Sequence, residues 1–218
     1  MLGTDLGFQP ITIEEMEKLG WDYYDFLLVS ADGYVDHPSF GHAVIARVLA
    51  ENGYRIMILP QPDWHSKKDF EKFGRPRLGV MIAGGNIDSM VNHYTTAKKP
   101  RSEDYYSPGG KAGMRPDRAT IVYCNRVREV FSDIPLIIGG IEASLRRFAH
   151  YDYWDNKVRR SILFDSKADI ISFGMGEKSI VEIADALNAG IHVKDITWIA
   201  GTAYKSDDKP EDAVEIPS

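Results

Sequence analysis

The sequence predicts an α/β fold of three layers, a mostly parallel sheet with helices on both faces. Three observations lead there. Short apolar runs of strand length alternate with stretches of helical periodicity. The runs are continuously apolar, as strands buried on both faces require. Their carboxyl ends carry glycines and polar residues, where the ligand crevices of such sheets lie.

Asp25–Ser30 reads as the first strand. Pro38 opens a helical pattern in Phe40, Val44, Ile45, Val48 and Leu49, and Gly53 sits just past its end. Tyr54–Leu59 is the second strand, stopped by Pro60 and Pro62. Asp69–Phe73 fits a short helix, and Arg77–Ala83 a third strand ending at Gly84–Gly85. Asn86 to Pro116 is a long irregular stretch, of a length uncommon unless functional or disordered. Asp117 is placed to cap a helix running to about Phe131. Pro135–Ile138 is a fourth strand ending in Gly139–Gly140, and Ile141–His150 reads as helix. Asp169–Phe173 is a fifth strand. Gly176 leads into a helix over Glu177–Ala189, stopped by Gly190, and Ile196–Ala200 fits a sixth strand. Residues 1–204 thus form one domain with an insertion at about 86–116. The stretch 205–218, with five acids and two prolines after Lys205, reads as an acidic linker.

The 218 residues suffice to bury a core, and 44% of them are hydrophobic. No apolar run is long enough for a membrane span, and the N-terminus lacks the order of a signal peptide. The single cysteine, Cys124, excludes an internal disulfide or a multi-thiolate metal site within this chain; a reducing, cytoplasmic setting is expected. Cys124 follows apolar Ile121–Tyr123 and reads as a buried, inert thiol. The net charge of −6 argues against nucleic-acid binding by the chain as a whole. Residues 98–128, however, carry +5, from eight Lys/Arg against three acids. That stretch either holds an anion or forms a solvated face.

Several motifs fall short of familiar patterns. Gly174-Met-Gly176 precedes a helix, but a dinucleotide fingerprint needs glycine where Ser179 stands. Gly176-Glu-Lys-Ser179 breaks the P-loop order at Glu177, and Gly109-Gly-Lys-Ala112 lacks the hydroxyl residue. Gly139–Gly140 either lets a ligand approach the backbone or permits close strand–helix packing. Asp36–His37 precedes a helix and could ligate a metal, move protons or cap. Asn86, Asp88, Ser89, Asn92, His93 and Tyr94 either line a pocket or satisfy one another. Arginines flank His150–Trp154, an arrangement that can stack on bases or cover a core edge.

Taken together, longer segments carry a resemblance. Tyr34–Gly41 (YVDHPSFG), Gln61–Trp64, Gly85–Tyr94 (GNIDSMVNHY), Tyr106–Gly113 (YSPGGKAG), Arg115–Arg118, Gly139–Trp154 (GGIEASLRRFAHYDYW) and Gly174–Glu177 resemble the YgiQ-type radical SAM proteins, from Phe8 to about Tyr204. The resemblance implies an N-terminal domain followed by a radical SAM barrel. There a Cys-x3-Cys-x2-Cys motif binds a [4Fe-4S] cluster and S-adenosylmethionine, giving an enzyme. Those cysteines are not in this sequence. The resemblance further implies a flavodoxin-like or Rossmann-like domain, similar to cobalamin-binding domains ahead of such barrels. Where those domains present Asp-x-His-x-x-Gly to cobalt, this chain has Asp36-His37-x-x-x-Gly41.

The expected role is an accessory domain that covers the barrel's mouth and helps bind substrate or a cobalamin-like cofactor. No catalytic or metal-ligating residue is expected in this chain. Gly84, Gly85, Gly139, Gly140, Ser144, Gly174 and Gly176 are the expected cofactor crevice. Asp36, His37, Asn86, Asn92 and His93 are the polar contacts to substrate, and Lys111 and Arg115 the anion holders. The barrel domain of the same polypeptide is the expected partner. The competing expectation is a cofactor-free module that grips protein or RNA through the basic 98–128 region.

Overall fold

The structure, a computed structural model, describes residues 7–208 and 214. Its centre is a six-stranded sheet of β1 (Phe26–Ser30), β2 (Ile56–Pro60), β3 (Gly79–Ala83), β4 (Leu136–Gly139), β7 (Ile170–Ser172) and β8 (Thr202–Tyr204). The order is β2-β1-β3-β4-β7-β8. All pairings are parallel except the last, where β8 runs antiparallel to β7. The fold is therefore the three-layer α/β sheet the sequence predicts. A separate two-stranded hairpin joins β5 (His150–Asp152) to β6 (Lys157–Arg159).

β1 (FLLVS) is buried at every position, as a strand covered on both faces must be. Alternate side chains feed two cores. Leu27, Val29, Met57, Leu59, Val80, Ile82, Leu136 and Ile138 pack with Phe70 of α3 (Lys68–Glu71) and Tyr123 and Val127 of α5 (Ala119–Val130). Leu163 of α7 (Ile162–Ser166) completes that face. On the opposite face Phe26, Leu28, Ile56, Ile58, Met81, Ile137 and Ile170 meet α2 (Gly41–Glu51) and α8 (Glu177–Asn188) through Ala46, Leu49, Ile180, Ile183 and Leu187. Each fully buried Ile or Leu contributes roughly 1.5–3 kcal/mol.

The parallel register aligns the strand ends. Ser30 pairs with Pro60 and with Ala83, and Ala83 pairs with Gly139. This row is the carboxyl edge of the sheet. At the amino edge, the buried Asp25 carboxylate accepts from the Arg55 amide and from Arg77 Nε, at 2.8 and 2.6 Å.

Four local expectations are corrected. α5 begins at Ala119 and is not capped by Asp117; Arg118 stands there in the left-handed region at φ 51°. Its first amides are taken instead by Ser89 Oγ on Ala119 (3.1 Å) and Glu142 Oε1 on Thr120 (2.9 Å). The helix expected over Ile141–His150 is α6, Gly140–Leu145. It stops where the Arg146 guanidinium is drawn to the Asp88 carboxylate, and the chain then turns into the hairpin. Asp152 Oδ1 accepts from the amides of Trp154 and Asp155 and so shapes that turn. Ile196–Ala200 is not a strand. Ile196 and Ile199 are buried in the core, and the edge strand forms later, at Thr202–Tyr204. Finally, α2 begins at Gly41 because Pro38 lies in a turn closed by the Phe40 amide on the His37 carbonyl.

The elements not anticipated include α1 (Ile13–Lys18), capped by Thr12 Oγ1, and α7, capped by Ser161 Oγ. The 86–116 stretch contains α4 (Ser89–His93), a 3-10 turn at Pro108–Gly110 and two isolated bridges. The expected linker lies largely outside the described residues.

Candidate functional site

The strand order reverses between β1 and β3, because β1 leads through α2 to β2 and β3 leads through α5 to β4. Open α/β sheets bind ligands at such a switch point, beyond the carboxyl ends of the strands. A cavity of about 340 Å³ lies there. Leu28, Met81, Ile137, Ile45 and Ile180 give it an apolar base, and Ala83, Gly85, Gly139 and Gly140 line its strand-end side. One wall is the start of α2 (Pro38, Ser39, Gly41, His42). The other is the start of α8 with its approach, Gly174–Glu177.

The N-cap residues of α2 and α8, Phe40 and Gly176, make no side-chain cap. Helix N-termini carry partial positive charge, so the cavity sits between two ends that favour electron-rich groups. Gly85 takes φ +100°, and a Cβ there would lie 2.3 Å from Asp32 Oδ1. Only glycine fits that corner. Asn86 next to it spans the cavity lip. Its amide donates to Asp32 Oδ2 (2.7 Å) and its Nδ2 to the Ser39 carbonyl (2.9 Å), while its Oδ1 accepts from the Gly41 amide (3.4 Å).

Six of the expected residues come together here: Gly85, Asn86, Gly139, Gly140, Gly174 and Gly176. Ser144 braces the wall, its Oγ accepting from the Gly174 amide at 3.4 Å. Gly84 lies behind the lining, where a Cβ would meet Glu142 and Thr120 at 2.9 Å. Asp36 and His37 are not among the lining residues. Asp36 pairs with Arg47, and exposed His37 uses Nδ1 to accept from the Ser39 amide.

Asn92 and His93 line a second cavity of about 320 Å³ with Arg101 and Glu103. There Asp117 Oδ1 lies 2.6 Å from His93 Nδ1, and Asp117 Oδ2 accepts from the Tyr94 hydroxyl at 2.9 Å. Lys111 is exposed, at a bridge to Glu103. Arg115 is fully buried and lines neither of these two cavities; it binds carboxylates of the chain itself. Its Nη1 donates to Asp32 (2.7 Å) and its Nε and Nη2 to Asp104 (2.9 and 3.0 Å). Burial drives the Asp32 carboxyl above the usual range even against the Arg115 charge. Burial acts on Asp104 too, but Arg115, the Tyr106 amide and Ser107 outweigh it and hold that carboxyl low.

This ion pair belongs to a pattern. Arg118 pairs with Asp152 and Asp155, Arg126 with Glu129, and Arg128 with Asp169. Half of the cations in the basic stretch are thus neutralised by carboxylates within the fold. Cys124 is fully buried, and burial pushes its thiol far up.

His42 was not among the expected residues. It is buried, lines the crevice and has its Nδ1 3.2 Å from Ser30 Oγ. Its Nε2 meets no partner among the described residues. Burial pulls its pKa down to about 4, against the pull of the Asp36 charge. The ring is therefore neutral at pH 7. A signal was present in the spacing, since positions 42, 46 and 49 fall on one helical face.

Residues 8–218 match the family model described as Radical SAM N-terminal. The chain belongs to that family. A UPF0313 protein of Clostridium botulinum (strain 657 / Type Ba4) is 55% identical over 217 residues, which is 99% of this chain and 34% of the relative. A UPF0313 protein of Clostridium perfringens (strain SM101 / Type A) is 59% identical over 204 residues, 94% of this chain and 31% of the relative. This Radical SAM N-terminal chain therefore spans about a third of the length of the curated relatives it matches. Among its described residues no helix is long and apolar enough to cross a membrane, and no group of three or more His, Cys, Asp or Glu is placed to hold a metal ion.

Proposed function

We propose that this domain is the ligand-binding accessory part of a radical SAM enzyme, its crevice holding the substrate or a cofactor. The observation that carries the proposal is the cavity at the β1/β3 switch point, lined by Gly85, Gly139 and Gly140 and set between two helix N-termini whose N-cap residues offer no side-chain cap. Such a site takes a flat or apolar body over its base and an electron-rich edge at the helix ends. In the full-length protein, a [4Fe-4S] cluster with S-adenosylmethionine supplies the radical chemistry, on residues outside this chain. The residues here bind, orient and exclude water.

The resemblance also suggests cobalamin as the occupant. The glycine-lined strand ends suit a flat ring, but the Asp36–His37 pair that stands where such domains present a histidine to cobalt does not fit that role. His37 is outside the lining, and Asp36 is committed to Arg47.

The test is a hydroxocobalamin titration of the domain, followed by visible absorbance and by retention on desalting. Val44→Trp, which fills the cavity from α2, runs beside it. Retention weakened at least tenfold by Val44→Trp supports a corrinoid in the crevice. No retention, or retention blind to Val44→Trp, eliminates the corrinoid. The substrate reading then requires Val44→Trp to raise the KM of the full-length enzyme, and an unchanged KM overturns it. The competing module reading predicts salt-sensitive RNA retention through residues 98–128 instead.

A further inference from the structure

The crevice mouth is bordered by apolar side chains that no described residue covers. Ile141 is 43% exposed, Leu145 60%, Phe148 62% and Met175 85%. Ile141 and Leu145 are four residues apart on α6 and share one face. The Ser144 Oγ contact with the Gly174 amide ties that helix to the loop bearing Met175. Arg147 lies over the rings of both Phe148 and Phe173, 4.9 Å from each centroid, and fixes Phe148 at the foot of the helix. Gly140 and Met175 both line the cavity, so the patch continues its lip. Four large apolar side chains expose on the order of a few hundred Å², the size at which a surface patch marks an interaction site.

We infer that this rim of Ile141, Leu145, Phe148 and Met175 is the seat on which the rest of a full-length polypeptide docks over the crevice. The inference rests on the proposed function and adds to it the face and the residues. Length decides the occupant. The chain matches 34% and 31% of its relatives, so about two thirds of each relative is further polypeptide that must pack somewhere. The path is short. Tyr204 pairs with Ile170, so β8 ends at the amino edge of the sheet. A connection from there to the rim crosses only the sheet's height, about 17 Å for a five-residue strand.

Hydroxyl-radical footprinting of the full-length polypeptide, beside the 218-residue chain, tests this. Leu145, Phe148 and Met175 should be oxidised at least fivefold more slowly in the full-length protein. Tyr105 and Phe8, 86% and 77% exposed, serve as references in both. A Leu145→Glu, Met175→Glu pair should restore labelling of Phe148 in the full-length protein without shifting the thermal midpoint of the domain. Equal labelling of the rim in both proteins overturns the inference. So does protection that rises with concentration together with a doubled mass by light scattering, which would assign the rim to a second copy. Ligand retention is read separately. Retention with an unprotected rim sinks only the docking, and a protected rim without ligand binding sinks only the crevice.

Discussion

His42 Nδ1 lies 3.2 Å from Ser30 Oγ, and the same hydroxyl accepts from the Asp32 amide at 3.1 Å. A single serine at the end of β1 thus links a buried imidazole to the backbone of Asp32, the residue whose carboxylate anchors the 86–116 stretch.

The imidazole gives the first prediction. With a folded pKa of about 4 against an ordinary value near 6.5, His42 binds a proton more readily in the unfolded chain. Its contribution is whole above pH 6.5 and is lost as pH falls toward 4. The loss should approach about 3 kcal/mol. Urea unfolding at several pH values should show a steeper decline for the native chain than for His42→Leu; parallel slopes would count against the assignment.

The buried arginine gives the second. Arg115→Ala leaves Asp32 and Asp104 unpaired in the interior and should cost about 3–5 kcal/mol. Arg115→Met combined with Asp32→Asn and Asp104→Asn should recover most of that, because no uncompensated charge remains. A triple variant as unstable as the single one would contradict this.

Glu142 gives the third. Its two oxygens accept from the Ser89 and Thr120 amides, both at 2.9 Å, so one buried carboxylate serves the starts of α4 and α5. Glu142→Ala strands both donors and should cost about 2–4 kcal/mol. Amide exchange should quicken at Ser89 and Thr120 together; faster exchange at only one of them would mean the bridge is not shared.

Asp152 gives the fourth. Burial works to raise its carboxyl, but the hydrogen bond and charge of Arg118 and the Trp154 and Asp155 amides prevail and hold it at about 2. Its folded pKa is depressed, so its contribution is present above pH 4 and lost as pH falls through 2. Asp152→Asn should remove roughly 2 kcal/mol at pH 7 and flatten that acid limb. An unchanged limb in acid titration followed by circular dichroism would refute the pairing.

Gly85 gives the last. At φ +100°, with Asp32 Oδ1 only 2.3 Å from where an alanine Cβ would lie, Gly85→Ala must displace the Asp32–Arg115 pair. It should destabilise by at least about 2 kcal/mol. Gly174→Ala, which is strained in φ but meets nothing within 4 Å, should cost less. The reverse order in thermal melts would be inconsistent with this packing.

Much of the architecture was legible because its signals are local. Five apolar runs become strands within two residues of expectation, since continuous burial leaves a continuous pattern. The crevice glycines followed from the rule that ligands meet the carboxyl ends of strands. What escaped depends on distance in sequence. Arg115 meets Asp32 across 83 residues, so charge alone made it an anion holder for a ligand when its anions are the chain's own. Asp117 has the chemistry of a helix cap, but His93 and Tyr94 claim it from 24 and 23 residues away. His42 drew no expectation, being one polar residue within an apolar helical pattern, whereas His37, beside an acid, reads as a candidate ligand.

The strand order also sets a timetable for assembly. β1 is made first but is flanked by β2 and β3, and Gly139 aligns beside Ala83 only once β4 exists. No local hairpin can nucleate this sheet, and parallel partners must close long loops before they pair. A chain emerging from its N-terminus therefore holds an unfinished crevice until some 140 residues are available, and its walls wait longer still, for Gly174 and α8. The crevice is among the last parts of the domain to come into being.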